Sequence, residues 1–283
     1  MSPMNNRLLV PRKTPGLLDL VPGAAAAYSL RSLSRSYADP VVTVRRSSDD
    51  DEGSFTASEV SDGTLAAFAG AGDAFVKQWW DQSGNANHAS QASPALQPQV
   101  VSGGAVILEE GKPAIQFNGT GSRFDLPTIS SQVRCDAFLV ASPSQFSGTT
   151  PGSANARFFD VIAGTVSFQL LRDATTTSLV MKNSAWQAGS DSTTFGVAEL
   201  GQQLYSASFK VASNTLHVNG AQQPASTAAS ASASGPVGKI GMRADGAGAT
   251  FFEGTFQEFL LYFIDTSENR ELLEGQIAWS YSQ

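Results

Sequence analysis

A chain of 283 residues, 41% of them apolar, is long enough to bury one large core or two small ones. Only 15% of the residues are charged and the net charge is −7, which argues against nucleic acid as a partner, because phosphate contacts need clustered Lys and Arg. No apolar run is long enough for a membrane-spanning helix, and residues 1–16 lack the continuous apolar stretch of a signal peptide.

The first sixteen residues carry Pro3, Pro11 and Pro15 with Arg7, Arg12 and Lys13 and no acid. They cannot build a core, so residues 1–18 are expected to form an extended basic arm that docks on another copy or on another protein. Residues 19–283 are expected to form one domain, with a helix-containing part over 19–96 and the main strands over 97–283. Ala26, Leu30, Leu33 and Tyr37 fall on one helical stripe, which predicts a helix within 24–37 that Asp39-Pro40 ends. Residues 41–46 read as a strand and 47–61 as an acidic, flexible stretch. Asp62 or Thr64 can cap a short helix through Leu65 and Phe68 that Gly70 and Gly72 break. Residues 75–80 form the next strand.

Strand then follows strand, at 97–101, 105–109, 113–118, 123–126, 136–142, 157–162, 166–171, 178–182, 203–211, 214–218, 237–241 and 251–263. Gly103-Gly104, Asn118-Gly119, Pro151-Gly152, Asn219-Gly220 and Gly246 supply turns between them. This spacing argues for an all-β sandwich or barrel rather than a parallel βαβ sheet. The one cysteine, Cys135, opens a buried strand and reads as a structural thiol. Residues 221–236 are a low-complexity Ala/Ser connection. Ser267 can cap a final helix in which Leu273, Ile277 and Tyr281 line one side, packed on the sandwich edge.

The most informative stretch is Trp79-Trp80-Asp81-Gln82-Ser83-Gly84-Asn85-Ala86-Asn87-His88. Two aromatics point to opposite faces of a strand and run straight into turn chemistry. With Tyr28-Ser29-Leu30-Arg31, Tyr37 and residues 41–46, this block resembles the first part of the concanavalin-like catalytic domain of α-L-arabinofuranosidases. It resembles even more closely a set of bacteriophage structural proteins. Ala114-Ile115-Gln116-Phe117-Asn118-Gly119, residues 216–220 and residues 252–262 are similar to laminin-G and concanavalin-type modules. The resemblance covers residues 19–283. It implies a concanavalin A-like jelly-roll β-sandwich with short peripheral helices.

Hydrolysis of a glycosidic bond needs two carboxyl groups at a set separation. By resemblance Thr250-Phe251-Phe252-Glu253-Gly254 matches the family's acid-bearing strand, and Asp245 lies in the Gly-rich loop before it, at a shorter spacing. No residue in 140–215 matches the family's nucleophile, and its adjacent cysteine pair is absent. The expectation is therefore a protein that is not an enzyme, with no catalytic residue, metal or cofactor. Glu253 and Glu258 read either as carboxylates lining the concave sheet or as solvent-facing strand positions. Asp49, Asp50, Asp51 and Glu52 offer hard oxygens for calcium without a defined ligand spacing, and equally read as a solvated loop. His88 can bond Asp81, and His217 stands at an exposed hairpin edge.

Sugar recognition by an aromatic face and planar polar groups fits better. Trp80, Asp81, Asn85 and Asn87 form one candidate platform. Trp186, in a polar stretch, is a second candidate, or else a lid on the sandwich. The resemblance implies a virion surface protein, made in the host cytoplasm, that assembles with itself and other virion proteins through Arg7, Arg12 and Lys13 and contacts host glycans. The alternatives are a glycoside hydrolase of arabinofuranosidase type and a secreted carbohydrate-binding module.

Overall fold

The computed structural model describes residues 15–129, 134–144, 156–163, 166–173, 178–185, 189–197, 199–210, 213–229, 238–244 and 251–281. One helical turn, α1 (Leu17–Leu20), precedes β1 (Ala26–Ser29), β2 (Val42–Arg46) and β3 (Glu52–Phe55). The short helices α2 (Ala57–Ser61) and α3 (Thr64–Ala69) lead into β4 (Ala74–Trp79) and β5 (Ala89–Ser90). Next come β6 (Gln99–Ser102), β7 (Ala105–Val106), the hairpin of β8 (Leu108–Glu109) and β9 (Lys112–Pro113), β10 (Ile115–Asn118) and β11 (Phe124–Asp125). The long strands are β12 (Cys135–Pro143), β13 (Arg157–Ala163), β14 (Val166–Arg172), β15 (Ser178–Ala185), β16 (Gly189–Val197) and β17 (Gln203–Phe209). β18 (Thr215–Val218), β19 (Ala221–Gln222), β20 (Ser226–Ala229) and β21 (Lys239–Ile240) precede β22 (Glu253–Tyr262), and α4 (Arg270–Tyr281) follows.

All pairings are antiparallel, and together they make a two-layered all-β sandwich. One layer runs β18–β17–β12–β22, with β1 and β10 sharing the far edge of β22. The other runs β3–β2–β4–β5–β11–β21–β13–β14–β15–β16–β20. β6 joins β4 to β10, so the hydrogen bonding is continuous round that side. Aromatic rings fill the space between the layers. Phe159 meets Phe259 at 4.9 Å between centroids, Phe168 meets Phe209 at 5.5 Å, and Tyr28 meets Trp79 at 5.6 Å. Such pairs add roughly 0.5–1.5 kcal/mol each beyond the area they bury.

A second, smaller core lies outside the first layer. Leu273 and Ile277 of α4 pack with Leu17, Val21 and Ala27 on Phe138, Val140, Leu204, Leu260 and Tyr262. The central strands are therefore covered on both faces, and all nine residues of β12 are buried. The C-terminal helix, expected on the sandwich edge, lies instead across this sheet face.

Other expectations are corrected. Residues 24–37 do not form a helix. Ala26 and Tyr28 enter the main core while Ala27 packs beneath the helices, so a strand with two buried faces satisfies the same apolar residues. Residues 47–61 hold β3 and α2, and α2 starts in a capping box in which the Thr56 N–H donates to Glu59 Oε2 at 2.8 Å. At α3 the Thr64 N–H donates to Asp62 Oδ1 at 2.9 Å, and Gly70, at φ 64°, ends the helix. The polar strand β16 escapes a reading based on apolar alternation, as does β20 within the Ala/Ser connection, whose residues 230–236 lie outside the described part.

Candidate functional site

The Trp79–His88 block is an internal clamp. Trp79 is buried, while Trp80 donates from Nε1 to Thr43 Oγ1 at 2.8 Å and leans on His88. Asp81 is 4% exposed and accepts four hydrogen bonds, from the Ala27 and Ser83 N–H groups at Oδ1 and from Ser83 Oγ and the Asn87 N–H at Oδ2. Gln82 donates to the Ser29 and Arg31 carbonyls and accepts from the Leu33 N–H. Asn85 donates to the Ala24 and Ala25 carbonyls, and Asn87 to that of Ala25. The polar groups expected to meet a sugar thus hold the segment around β1. Asp81 has no lone pair facing outward, which corrects its place on a glycan platform. The Asp81 N–H donates to His88 Nδ1 at 3.1 Å, so His88 closes the loop.

Trp186, Asp245 and the arm residues Arg7, Arg12 and Lys13 lie outside the described residues. The acids of 49–52 are engaged: Asp49 and Asp51 with Arg46, Asp50 with Arg45 and Glu52 with Lys77.

A concavity lies elsewhere, beside α4 on the outer face of the first layer. It encloses 520 Å³ between Ile277, Ala278 and Tyr281 of the helix and Gln202, Gln203, Leu204 and Asn219 of the sheet edge, with Glu110 at its rim. The walls follow from local sequence. Asn219 and Gly220 take φ 50° and 81°, as a two-residue hairpin turn requires, and the Asn219 side chain receives the Leu204 N–H and donates to Gln203. Glu110 and Gly111 form a second turn with both φ positive. That hairpin is pinned by Gln257, whose Nε2 donates to the Glu109 and Lys112 carbonyls, and by Thr255, which donates to Glu109 Oε2. Gln202 donates to Gln257 Oε1 at 2.6 Å.

A β-bulge explains how β22 presents its polar side chains. Val140 stands opposite Glu258 and Ala141 opposite Phe256, leaving Gln257 as the extra residue. Phe256 and Phe259 enter the core while Gln257 and Glu258 both turn toward the helix side. Glu258 is neither solvent-facing nor a bare carboxylate in a concave sheet. It is fully buried and accepts from Arg31 Nε and Nη2 at 2.7 and 2.9 Å, from Ser29 Oγ, and from Tyr281 Oη at 3.2 Å. Burial and the Glu258 charge push the Tyr281 phenol well above its ordinary range. Tyr281 is therefore a hydrogen-bond donor and a ring surface, not a nucleophile. Amides, one exposed carboxylate and a half-buried tyrosine suit the binding of a hydroxyl-rich ligand.

A second polar group lies on β13–β15. Asp160, Gln169 and Lys182 are cross-strand neighbours on the side away from Phe159, Phe168 and Met181. Asp160 accepts the Ala244 N–H, and burial together with the charges of Arg157 and Arg243 pulls the Lys182 pKa down. His217 departs from the exposed edge position expected: it is half-buried, and burial and then Arg270 lower its pKa.

No protein-family model matches the sequence, and no curated protein matches it. Among solved structures, a mutant GH54 α-L-arabinofuranosidase soaked with 4-nitrophenyl α-L-arabinofuranoside is similar over 90% of this chain and 62% of its own, at 14% identity and a TM-score of 0.56. A GH54 α-L-arabinofuranosidase soaked with a cyclic sulfate inhibitor is similar over the same shares, at 15% identity and a TM-score of 0.51. The likeness is one of fold. The chain spans 62% of the length of these structures. It corrects the expectation of a protein outside the enzymes, because the sandwich shared across nine-tenths of the chain is one that glycoside hydrolases use. Neither structure is a virion protein, and nothing in them supports a phage origin.

Proposed function

We propose that this chain is a carbohydrate-active β-sandwich protein that holds a saccharide in the concavity beside α4; hydrolysis of arabinofuranoside linkages, with Asp245 as the acid that the resemblance implies, is a second reading that would use a separate place on the sandwich. The observation that carries the reading is the amide-lined groove of Gln202, Gln203 and Asn219, with Glu110 and Tyr281, on a sandwich similar to that of arabinofuranosidases. Tyr281 supplies a ring face, and Glu258 beneath it fixes the hydroxyl. The virion role that the sequence suggests has no observation behind it beyond that resemblance.

Two measurements test the reading. The first is release of nitrophenol from 4-nitrophenyl α-L-arabinofuranoside, with and without Asp245→Ala. The second is calorimetric binding of arabinose- and xylose-containing saccharides, with and without Tyr281→Ala. Turnover that Asp245→Ala abolishes supports hydrolysis. Binding that weakens by about 1 kcal/mol or more in Tyr281→Ala supports the groove. A protein that neither binds nor cleaves these saccharides removes the reading.

A further inference from the structure

The concavity beside α4 is one end of a longer trough. A second cavity of 400 Å³ shares Leu204, Asn219 and Ala278 with the first and continues along the helix past Gly275 and Glu274 to Arg270. A third, of 120 Å³, shares Arg270 with the second and ends under the start of the helix, over Ser206 and His217. The three follow the full twelve residues of α4, a length of ~18 Å at 1.5 Å per residue. That is several times the width of one sugar ring.

Two residues that line the added cavities each carry a buried polar atom with no hydrogen-bond partner among the described residues. Glu274, 6% exposed, accepts from Arg270 Nη1 through Oε2, but its Oε1 receives no hydrogen bond from any described residue. Ser206, 4% exposed, has no partner for Oγ among the described residues. A buried acceptor left unsatisfied is costly, and a ligand hydroxyl can satisfy it. Gly275 lines the second cavity, and no atom lies within 4 Å of where its Cβ would stand, so a large side chain there would project into open space along the wall.

We infer that the trough takes a linear oligosaccharide along α4 rather than a single terminal sugar, with Glu274 and Ser206 as hydrogen-bonding residues for units beyond the first. This rests on the saccharide reading above. Hydroxyls on successive rings supply donors at intervals along the wall. Specificity then resides in chain length as well as in the unit held beside Tyr281.

The test is calorimetric titration of the full chain with methyl α-L-arabinofuranoside and with linear arabino- and xylo-oligosaccharides of two to five units. Affinity should rise about tenfold or more from the monosaccharide to the longest chain that binds. Glu274→Gln should remove much of that gain. Gly275→Tyr, an exposed helical position where a side chain meets nothing, should block the trough and bring long chains down to the wild-type affinity for the monosaccharide. Thermal melting establishes that each variant folds, and Gly275→Tyr decides alone if Glu274→Gln does not. Affinity independent of length, or a gain that survives the folded variants, overturns the inference while leaving the saccharide reading standing. Failure to bind at any length overturns both.

Discussion

Arg31 grips Glu258 with two parallel hydrogen bonds, Nε to Oε2 at 2.7 Å and Nη2 to Oε1 at 2.9 Å. The Glu258 side chain is wholly buried, whereas the Arg31 side chain keeps 29% of its surface exposed. The two partners should therefore respond unequally to mutation. Arg31→Met leaves a buried charge without its cation and should cost about 3–5 kcal/mol. Glu258→Gln leaves a cation that water can reach, so its cost should be smaller, about 1–2 kcal/mol. Urea unfolding of both variants checks the order. Equal losses would show that shape, rather than the buried charge, sets the stability here.

A clamp predicts a different signature from a sugar platform. Asp81→Asn preserves size but puts an amide where Oδ2 accepted the Asn87 N–H and the Ser83 hydroxyl. The variant should lose about 2 kcal/mol of stability or more, because a buried donor then faces a donor. Saccharide affinity at temperatures where the variant stays folded should be unchanged. The measurement is a melting curve paired with a titration.

The sheet strands were largely legible because their apolar residues alternate or run continuously between turn residues. β12, β14, β17 and β22 fall close to where that pattern puts them. β1 was not legible as a strand: Ala26, Leu30, Leu33 and Tyr37 fit a helical stripe, whereas its backbone is held by distant partners, the β22 ladder and the side chains of Asp81 and Gln82. The tryptophan motif was visible, but whether its amides faced a ligand or a neighbouring strand depended on tertiary contacts. The groove was harder still. Tyr281 was expected on a packed helix side, Gln202 and Gln203 carry no motif, and Asn219 was legible only as part of a hairpin turn. Their convergence depends on α4 crossing the sheet face, and the bulge at Gln257 that turns two successive polar residues toward the helix side has no marker in local composition.

Gly254 shows a glycine required by close backbone approach. Its φ is 139°, and a Cβ there would stand 2.1 Å from the Ser142 carbonyl oxygen and 2.9 Å from the Pro143 Cα. Those atoms belong to the paired strand β12 and cannot move without breaking the ladder. Gly254→Ala should therefore cost more than about 3 kcal/mol, well beyond an ordinary glycine-to-alanine change. Soluble yield and melting temperature provide the check, with Gly275→Ala as a control that should stabilise α4 by up to about 1 kcal/mol.

Acid stability should depend on the turn before α4. Asp265 accepts the Ser267 N–H at 2.9 Å and pairs with Arg134 Nη1 at 2.5 Å. Its contacts with Ser267, and then Arg134, hold the carboxyl well below its ordinary value of 3.8. A carboxyl whose folded pKa lies below its unfolded one binds fewer protons when folded, so stability rises with pH across the interval between them. The contribution is complete above the unfolded value and disappears as pH falls through the folded one. Because more than half of the Asp265 side chain is exposed, solvent screens the ion pair and the effect should be modest. Asp265→Asn should lower the melting temperature at pH 7, and the gap from the wild type should narrow steadily between pH 4 and pH 2. Melting curves across that range at fixed ionic strength measure it. A gap that stays constant down to pH 2 would mean that the asparagine disturbs the turn itself, and that the lost charge is not what the variant reports.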